Sequence, residues 1–286
     1  MPGPNTIAQR VRKRVSRWQS ARQGRLLGTR REIEIAGDGT FAFRCNLCGA
    51  ASRTTLIALG GERESCDTCS SVVRFRAIGR LVTQELFGED IVLTELPSAR
   101  HIRGIGLSDA CAYARPLARR LGYVNTFLHA EPRLDIANVD VDRFEPCDFI
   151  IASDVFEHVA PPVSRAFANV YRLLKPGGKF IFTVPFSLDD ETVEHFPALH
   201  DWQLESRDGA WRLVNHTVDG RRETHDGLVF HGGPGTTLEM RLFSRVGLER
   251  EFAQAGFSRV RIASEAYLPF GIHWEHPWSL PMVAYR

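Results

Sequence analysis

Residues 148–185 read DFIIASDVFEHVAPPVSRAFANVYRLLKPGGKFIFTVP and contain two different apolar periods. Phe149 to Ala152 is an unbroken apolar run that stops at Ser153-Asp154. Such a run predicts a strand buried on both faces that ends at a polar rim. Pro161-Pro162 opens a helix, because the first helical turn has no use for a proline N–H. Val163, Phe167, Val170, Tyr171 and Leu174 then repeat at helical spacing, Pro176-Gly177-Gly178 ends the helix, and Lys179 to Val184 is a second apolar strand. The unit is β-α-β, with parallel strands and a right-handed crossover. Ligands of open α/β sheets bind beyond the carboxyl ends of such strands, where Ser153, Asp154, Glu157 and His158 fall.

The same reading extends outward from this unit. Val72, Phe75, Ile78, Val82 and Leu86 predict a helix between Ser70 and Gly88, and residues 89–100 read as a linker. Ile102 to Asp109 is strand-like and opens onto a glycine-containing turn, Ala110 to Leu121 is helix-like despite Pro116, and Tyr123 to His129 is strand-like. A register with Ile91 to Glu95 as first strand and Ile102 to Leu107 as second leaves too few residues for a crossover helix. Residues 186–240 form a long insertion, with Trp211 to Val218, Asp219-Gly220 and Arg221 to Phe230 as a hairpin and Phe230 to Pro234 as a bend. Phe243 to Ala255 is a helix ended by Gly256, and short strands follow at Arg259 to Ile262 and Pro281 to Tyr285.

At the other end, Ile7, Val11, Val15 and Trp18 make one helical stripe among arginines. Residues 1–31 hold nine Lys/Arg and no acid; the whole chain nets +2, so removing those nine leaves −7 on the rest. This describes a basic arm, residues 1–35, on a mildly acidic body rather than a uniformly basic nucleic-acid binder. A solvated packing helix, an arm for anionic partners and a transit peptide all stay open for it. Hydrophobic content of 43% is ordinary for a globular chain of 286 residues, which has room for one large domain and a small one. No apolar stretch is long enough to span a bilayer and no signal h-region follows the start, so the expected location is cytoplasmic.

Four of the six cysteines form C-x2-C-x17-C-x2-C: Cys45, Cys48, Cys66 and Cys69. Two residues between thiolates let one turn aim both sulfurs at one ion, and two such turns close a tetrahedral site. The spacing is that of a zinc ribbon, so structural Zn2+ is expected here; a pair of redox dithiols is the competing reading. The divisions expected are the arm, a ribbon module with its helix over residues 36–100, and a main domain over residues 101–286.

Asp154-Val-Phe-Glu-His-Val159 followed by Leu174-Lys-Pro-Gly-Gly178 resembles the second half of class I S-adenosylmethionine-dependent methyltransferases. With GIGLSD and the phrase from Asn125-Thr126 to Asp135, the chain resembles a bacterial subgroup with a fused zinc module, over about residues 40–286. The resemblance implies an α/β, Rossmann-like sheet of seven strands whose last two pair antiparallel at one edge. It implies S-adenosylmethionine held by the loop of Gly104, Gly106, Ser108 and Asp109, by Glu131 at the ribose, by Asp135 at the adenine, and by Ser153 and Asp154 at the methionine end. The family's usual D/E-x-G-x-G-x-G is absent. His158 is the first candidate base and His231 the second, with Asp154 beside them; a packing histidine and a capping carboxylate are the plain alternatives. A small-molecule or carbohydrate-like acceptor fits the histidine-rich insertion. An RNA methyltransferase gripping phosphates with ribbon and arm, a non-catalytic protein with a decayed cofactor site, and an ordinary doubly wound sheet binding another ligand also stay open. Oligomeric state is not legible.

Overall fold

The computed structural model describes residues 35–60, 62–207 and 209–286, so the basic arm lies outside the described residues. Strands β1 (Thr40–Arg44) and β2 (Ala51–Thr55) form an antiparallel hairpin. Helix α1 (Val73–Phe87) follows and ends at Gly88, whose φ of 75° is the left-handed cap that glycine supplies without strain. Then come β3 (Ala99–Leu107), α2 (Cys111–Arg120), β4 (Leu121–Thr126), β5 (Cys147–Ser153), α3 (Ser164–Leu173) and β6 (Leu174–Thr183). The insertion contributes β7 (Phe186–Ser187), β8 (Val193–Glu194), β9 (Asp201–Arg207), β10 (Ala210–His216), β11 (Arg222–His225), β12 (Phe230–His231), β13 (Thr237–Leu238) and β14 (Arg241–Ser244). Helix α4 (Arg245–Ala255), β15 (Arg259–Ile262) and β16 (Met282–Tyr285) close the chain.

The main sheet runs β15-β16-β6-β5-β3-β4. β4, β3, β5 and β6 are parallel, while β16 is antiparallel to both β6 and β15. Six strands make it, against the seven expected. The stretch between β4 and β5 forms only a bridge from Phe127 to Arg133 and a turn at Val141–Arg143. Its composition explains this: Pro132 has no ladder donor, and Asp135 turns the chain by accepting the Ala137 N–H.

Period-two alternation sorts the sheet's side chains into two cores. Phe149, Ile151, Ile181 and Val283 face α1, α2 and the hairpin, and they share one apolar body with Phe43, Leu47, Ile78, Leu81 and Tyr113. Ile150, Ala152, Phe180 and Phe182 face α3 and α4, against Phe167, Val170 and Phe252. The Cys-bearing segment therefore has no separate core. The insertion holds a small cluster of its own around Phe196, Leu213, Leu238 and Met240. Its D-G hairpin is present as β10 and β11, with Gly220 at φ 81°, but the second arm ends at His225 and β9 adds an unforeseen third strand. Among the described residues no helix is long and apolar enough to cross a membrane.

Candidate functional site

Strands β3 and β5 are neighbours, and just past the end of each stands a non-glycine residue in the left-handed region: Ser108 at φ 57° and Asp154 at φ 53°. Such residues are sparse and cluster where surrounding structure holds them to a purpose. Asp154 is held by its own N–H on Thr183 O, by the Thr183 hydroxyl donating at 2.9 Å, and by Arg74 at 3.1 Å. Burial pushes its carboxyl up, and the Arg74 charge opposes that. Arg74 comes from α1. Its guanidinium also donates to both Glu62 oxygens, at 3.0 and 2.8 Å, and to Ser153 Oγ, with its side chain only 11% exposed. An arginine from the Cys-bearing segment thus lies across the rim of the main sheet. Sequence reasoning missed it, although Arg74 is the polar residue of the first turn of a helix already expected.

The glycines and Asp109 take other places than expected. Gly104 and Gly106 lie inside β3, and the turn falls later, at Ser108. A Cβ on Gly104 would land in the Phe149 ring, and one on Gly106 in the Tyr123 hydroxyl and the Asp109 carboxylate. The space they leave is filled by the protein's own aromatic rings, so they let strands and rings close rather than cradle a ligand. Asp109 is turned inward, where Tyr113 OH donates at 2.8 Å and Tyr123 OH at 2.5 Å. Burial raises its carboxyl to about 8 against those hydrogen bonds. Both oxygens are engaged, so a direct grip on a ligand is replaced by a buried support for the rim. Glu131 is exposed on the loop after β4, with one oxygen taken by the Arg133 N–H. Asp135 caps its own turn.

Beyond Asp154 the chain makes a single tight turn at Phe156–His158. The insertion pins that turn. Arg241, with no side-chain exposure, donates from Nη1 to Phe156 O at 2.7 Å and Val159 O at 2.6 Å, and from Nε to Glu194 at 2.6 Å. The Met240 N–H bonds Glu157 O. This brings two candidate residues 73 positions apart together: the rings of His158 and His231 meet edge to face at 4.7 Å. His158 Nδ1 lies 2.9 Å from Leu238 O, and His231 Nε2 lies 3.0 Å from Glu239. Glu239 also holds His195 at 2.8 Å. Burial pushes the Glu239 carboxyl up but the two imidazoles win, leaving it at about 2. Burial pushes His158 down, so its imidazole is neutral near pH 7, while the Glu239 hydrogen bond pushes His231 up. Glu157 sits 3.7 Å from His158 Nε2 and 4.0 Å from His231 Nδ1, 1% exposed, with neither carboxyl oxygen hydrogen-bonded.

The four cysteines also converge. Cys45 Sγ and Cys69 Sγ are 3.7 Å apart, as are Cys48 Sγ and Cys66 Sγ, and none is in a disulfide. A tetrahedral ion with bonds of about 2.3 Å sets its sulfurs about 3.8 Å apart, so this donor set fits zinc. Behind the thiols lies Arg76, fully buried, which donates to Ser71, Ser65 Oγ and Gly271 O and has no carboxylate partner among the described residues. A buried cation needs a counter-charge, and four thiolates around a divalent ion carry a net −2. Cys111 and Cys147 stand apart from this cluster. A cavity of about 650 Å³ lies under α4, lined by Phe186, Leu248, Phe257 and Val260 among others, and holds none of the candidate residues.

Comparison with known proteins places this geometry. A family model described as a methyltransferase domain matches residues 87–262. No curated protein matches the chain. Similar solved structures include an S-adenosylmethionine-dependent methyltransferase from Clostridium acetobutylicum, 12% identical over 72% of this chain and 95% of that one, with TM-score 0.37. Another from Mesorhizobium loti is 16% identical over 67% and 94%, with TM-score 0.38. A sugar N-methyltransferase from a Streptoalloteichus species is 12% identical over 74% and 86%, with TM-score 0.41. At identities this low the likenesses say nothing about substrate.

Proposed function

The chain belongs to the methyltransferase-domain family, and on that premise we propose that it transfers a methyl group from S-adenosylmethionine to a small-molecule acceptor. The observation that carries this reading is the rim at Ser108 and Asp154, where two adjacent parallel strands end in left-handed residues and Asp154 is paired with the Arg74 guanidinium. Asp154 and Arg74, paired with each other at 3.1 Å, would exchange that pairing for the ammonium and the carboxylate of an amino-acid end. Glu131, with Asp135 behind it, serves the nucleoside end, and Ser153 and Ser108 border the path between. The bound sulfonium supplies an activated methyl group. The chain's own work is to align the acceptor in line with it and to take the acceptor's proton. We assign that second task to His158 and His231, with Asp154 fixing the near wall. The insertion over residues 186–240 covers this place and selects the acceptor. The division into a segment over residues 36–100 and a main domain from residue 101 follows the same reading. Its Cys45, Cys48, Cys66 and Cys69 take structural Zn2+, for which the sulfur spacing and buried Arg76 are the support.

The test is calorimetry of S-adenosylhomocysteine binding to the full chain. One site is expected, weakened at least about tenfold in Asp154→Asn, the usual worth of a charge-assisted hydrogen bond. Absence of binding in the unsubstituted protein would overturn the proposal.

A further inference from the structure

We infer that Glu157, His158 and His231 form a binding site for a divalent transition-metal cation, distinct from the four cysteines. Three observations converge on it. Glu157 is buried to 1% exposure and both its carboxyl oxygens are without a hydrogen-bond partner. An orphaned buried carboxylate is expensive, and a cation satisfies it. The two histidines are oriented from outside the cluster. Leu238 O takes the proton of His158 Nδ1, and Glu239 takes the proton of His231 Nε2. Each ring is thereby left with a lone pair on its inner nitrogen, and those nitrogens lie 3.7 and 4.0 Å from the same Glu157 oxygen. This is the arrangement in which metal-binding imidazoles are held, ring proton outward onto a carbonyl or carboxylate.

The dimensions agree. With bonds of about 2.1 Å, tetrahedral donors stand about 3.4 Å apart. All three donor atoms lie within 4.8 Å of one another, so a closure of well under 2 Å seats the ion. Two imidazoles and one carboxylate favour zinc, cobalt, iron or nickel over magnesium, and three protein ligands leave a position open.

The role of the ion rests on the methyl-transfer reading; its existence does not. With the ion bound, His158 and His231 would serve as its ligands instead of taking the proton themselves, and an acceptor hydroxyl on the open position would become more acidic and give its proton to water. The oxygen's electron pair then forms the bond to the methyl carbon, and the carbon–sulfur bond breaks with its pair staying on sulfur. The acceptor class is therefore a hydroxyl-bearing small molecule, methylated on oxygen.

The probe is Co2+, titrated into the full chain purified with its cysteine site zinc-loaded. One further equivalent is expected to bind, with a visible spectrum that lacks thiolate charge-transfer bands, and to raise the melting temperature. Glu157→Gln, close in size and shape and without the charge, should lose this binding. Glu239→Gln, which orients His231 from outside the cluster and also holds His195, should weaken it about tenfold. A wild-type protein that takes up no second equivalent overturns the inference, as does a Glu157→Gln protein that binds Co2+ like wild type. If Co2+ binds but S-adenosylhomocysteine does not, the methyl-transfer reading falls and the metal site stands; the reverse pattern removes only the site.

Discussion

Arg241→Met tests how the insertion holds the turn that carries Glu157 and His158. The substitution keeps an unbranched apolar stem and removes three hydrogen bonds, to Phe156 O, Val159 O and Glu194. Removing one partner of a buried ion pair costs about 3–5 kcal/mol. Two features moderate this. Glu194 keeps 30% exposure and can rehydrate, and Arg241 Nη2 is itself without a partner, so its loss returns about 1 kcal/mol. The net is about 2–4 kcal/mol, or roughly 4–16 °C of melting temperature for a body of this size. Urea unfolding reads it as a lower midpoint at unchanged slope. Glu194→Gln alone should cost less, and the double variant less than the sum of the two, because the same bond cannot be lost twice. A loss below about 1 kcal/mol, the level of an average substitution, would refute the view that this guanidinium holds the turn.

Four further outcomes follow from the same geometry. Cys45→Ser should lower the melting temperature and the zinc content together, read by thermal unfolding and elemental analysis. His158→Ala should reduce turnover about 100-fold while S-adenosylhomocysteine affinity, measured by calorimetry, stays within about twofold. Asp109 is raised from 3.8 to about 8 in the folded chain, so the stability it contributes is full below pH 3.8 and is lost as pH rises toward 8; Asp109→Asn should flatten that slope in unfolding measurements across the window. Gly106→Ala places a methyl group into the Tyr123 hydroxyl and should destabilise by about 3 kcal/mol, whereas Gly177→Ala, at φ 77° near the start of β6 with open space around it, would show only its backbone strain.

The β-α-β unit from Asp148 to Pro185 was legible because its signals are local, an apolar run and a helical stripe; the helix ends at Leu173, earlier than expected, and Pro176-Gly177-Gly178 lies inside β6. The cysteine convergence was legible because spacing alone brings the sulfurs of two turns together. The antiparallel edge pair was an expectation of family likeness, and β15 and β16 meet it. What stayed hidden depends on which strand neighbours which. Alternation tells a residue's face but not its partner, so nothing in the sequence put Arg74 on Asp154, or Glu239 between His195 and His231. Gly104 and Gly106 were expected at a turn because glycine pairs usually mark one. Here the reason for them lies on adjacent strands, in Phe149 and Tyr123. The missing seventh strand followed from Pro132 and from Asp135, the second of which was read for its chemistry rather than for what it does to backbone pairing. Glu157 is placed by the sequence only as one residue of the rim, when its two orphaned oxygens are what set it apart.

The thiol hairpin and the sheet share one interior, with Phe43 and Leu47 packed in the same body as Phe149 and Ile181. An oxidant that joins those sulfurs in pairs would therefore uncover a wall of the enzyme rather than shed an ornament. Insolubility would be the first sign of such damage, ahead of any fall in catalytic competence, and the same fate awaits a chain trimmed to start at residue 101.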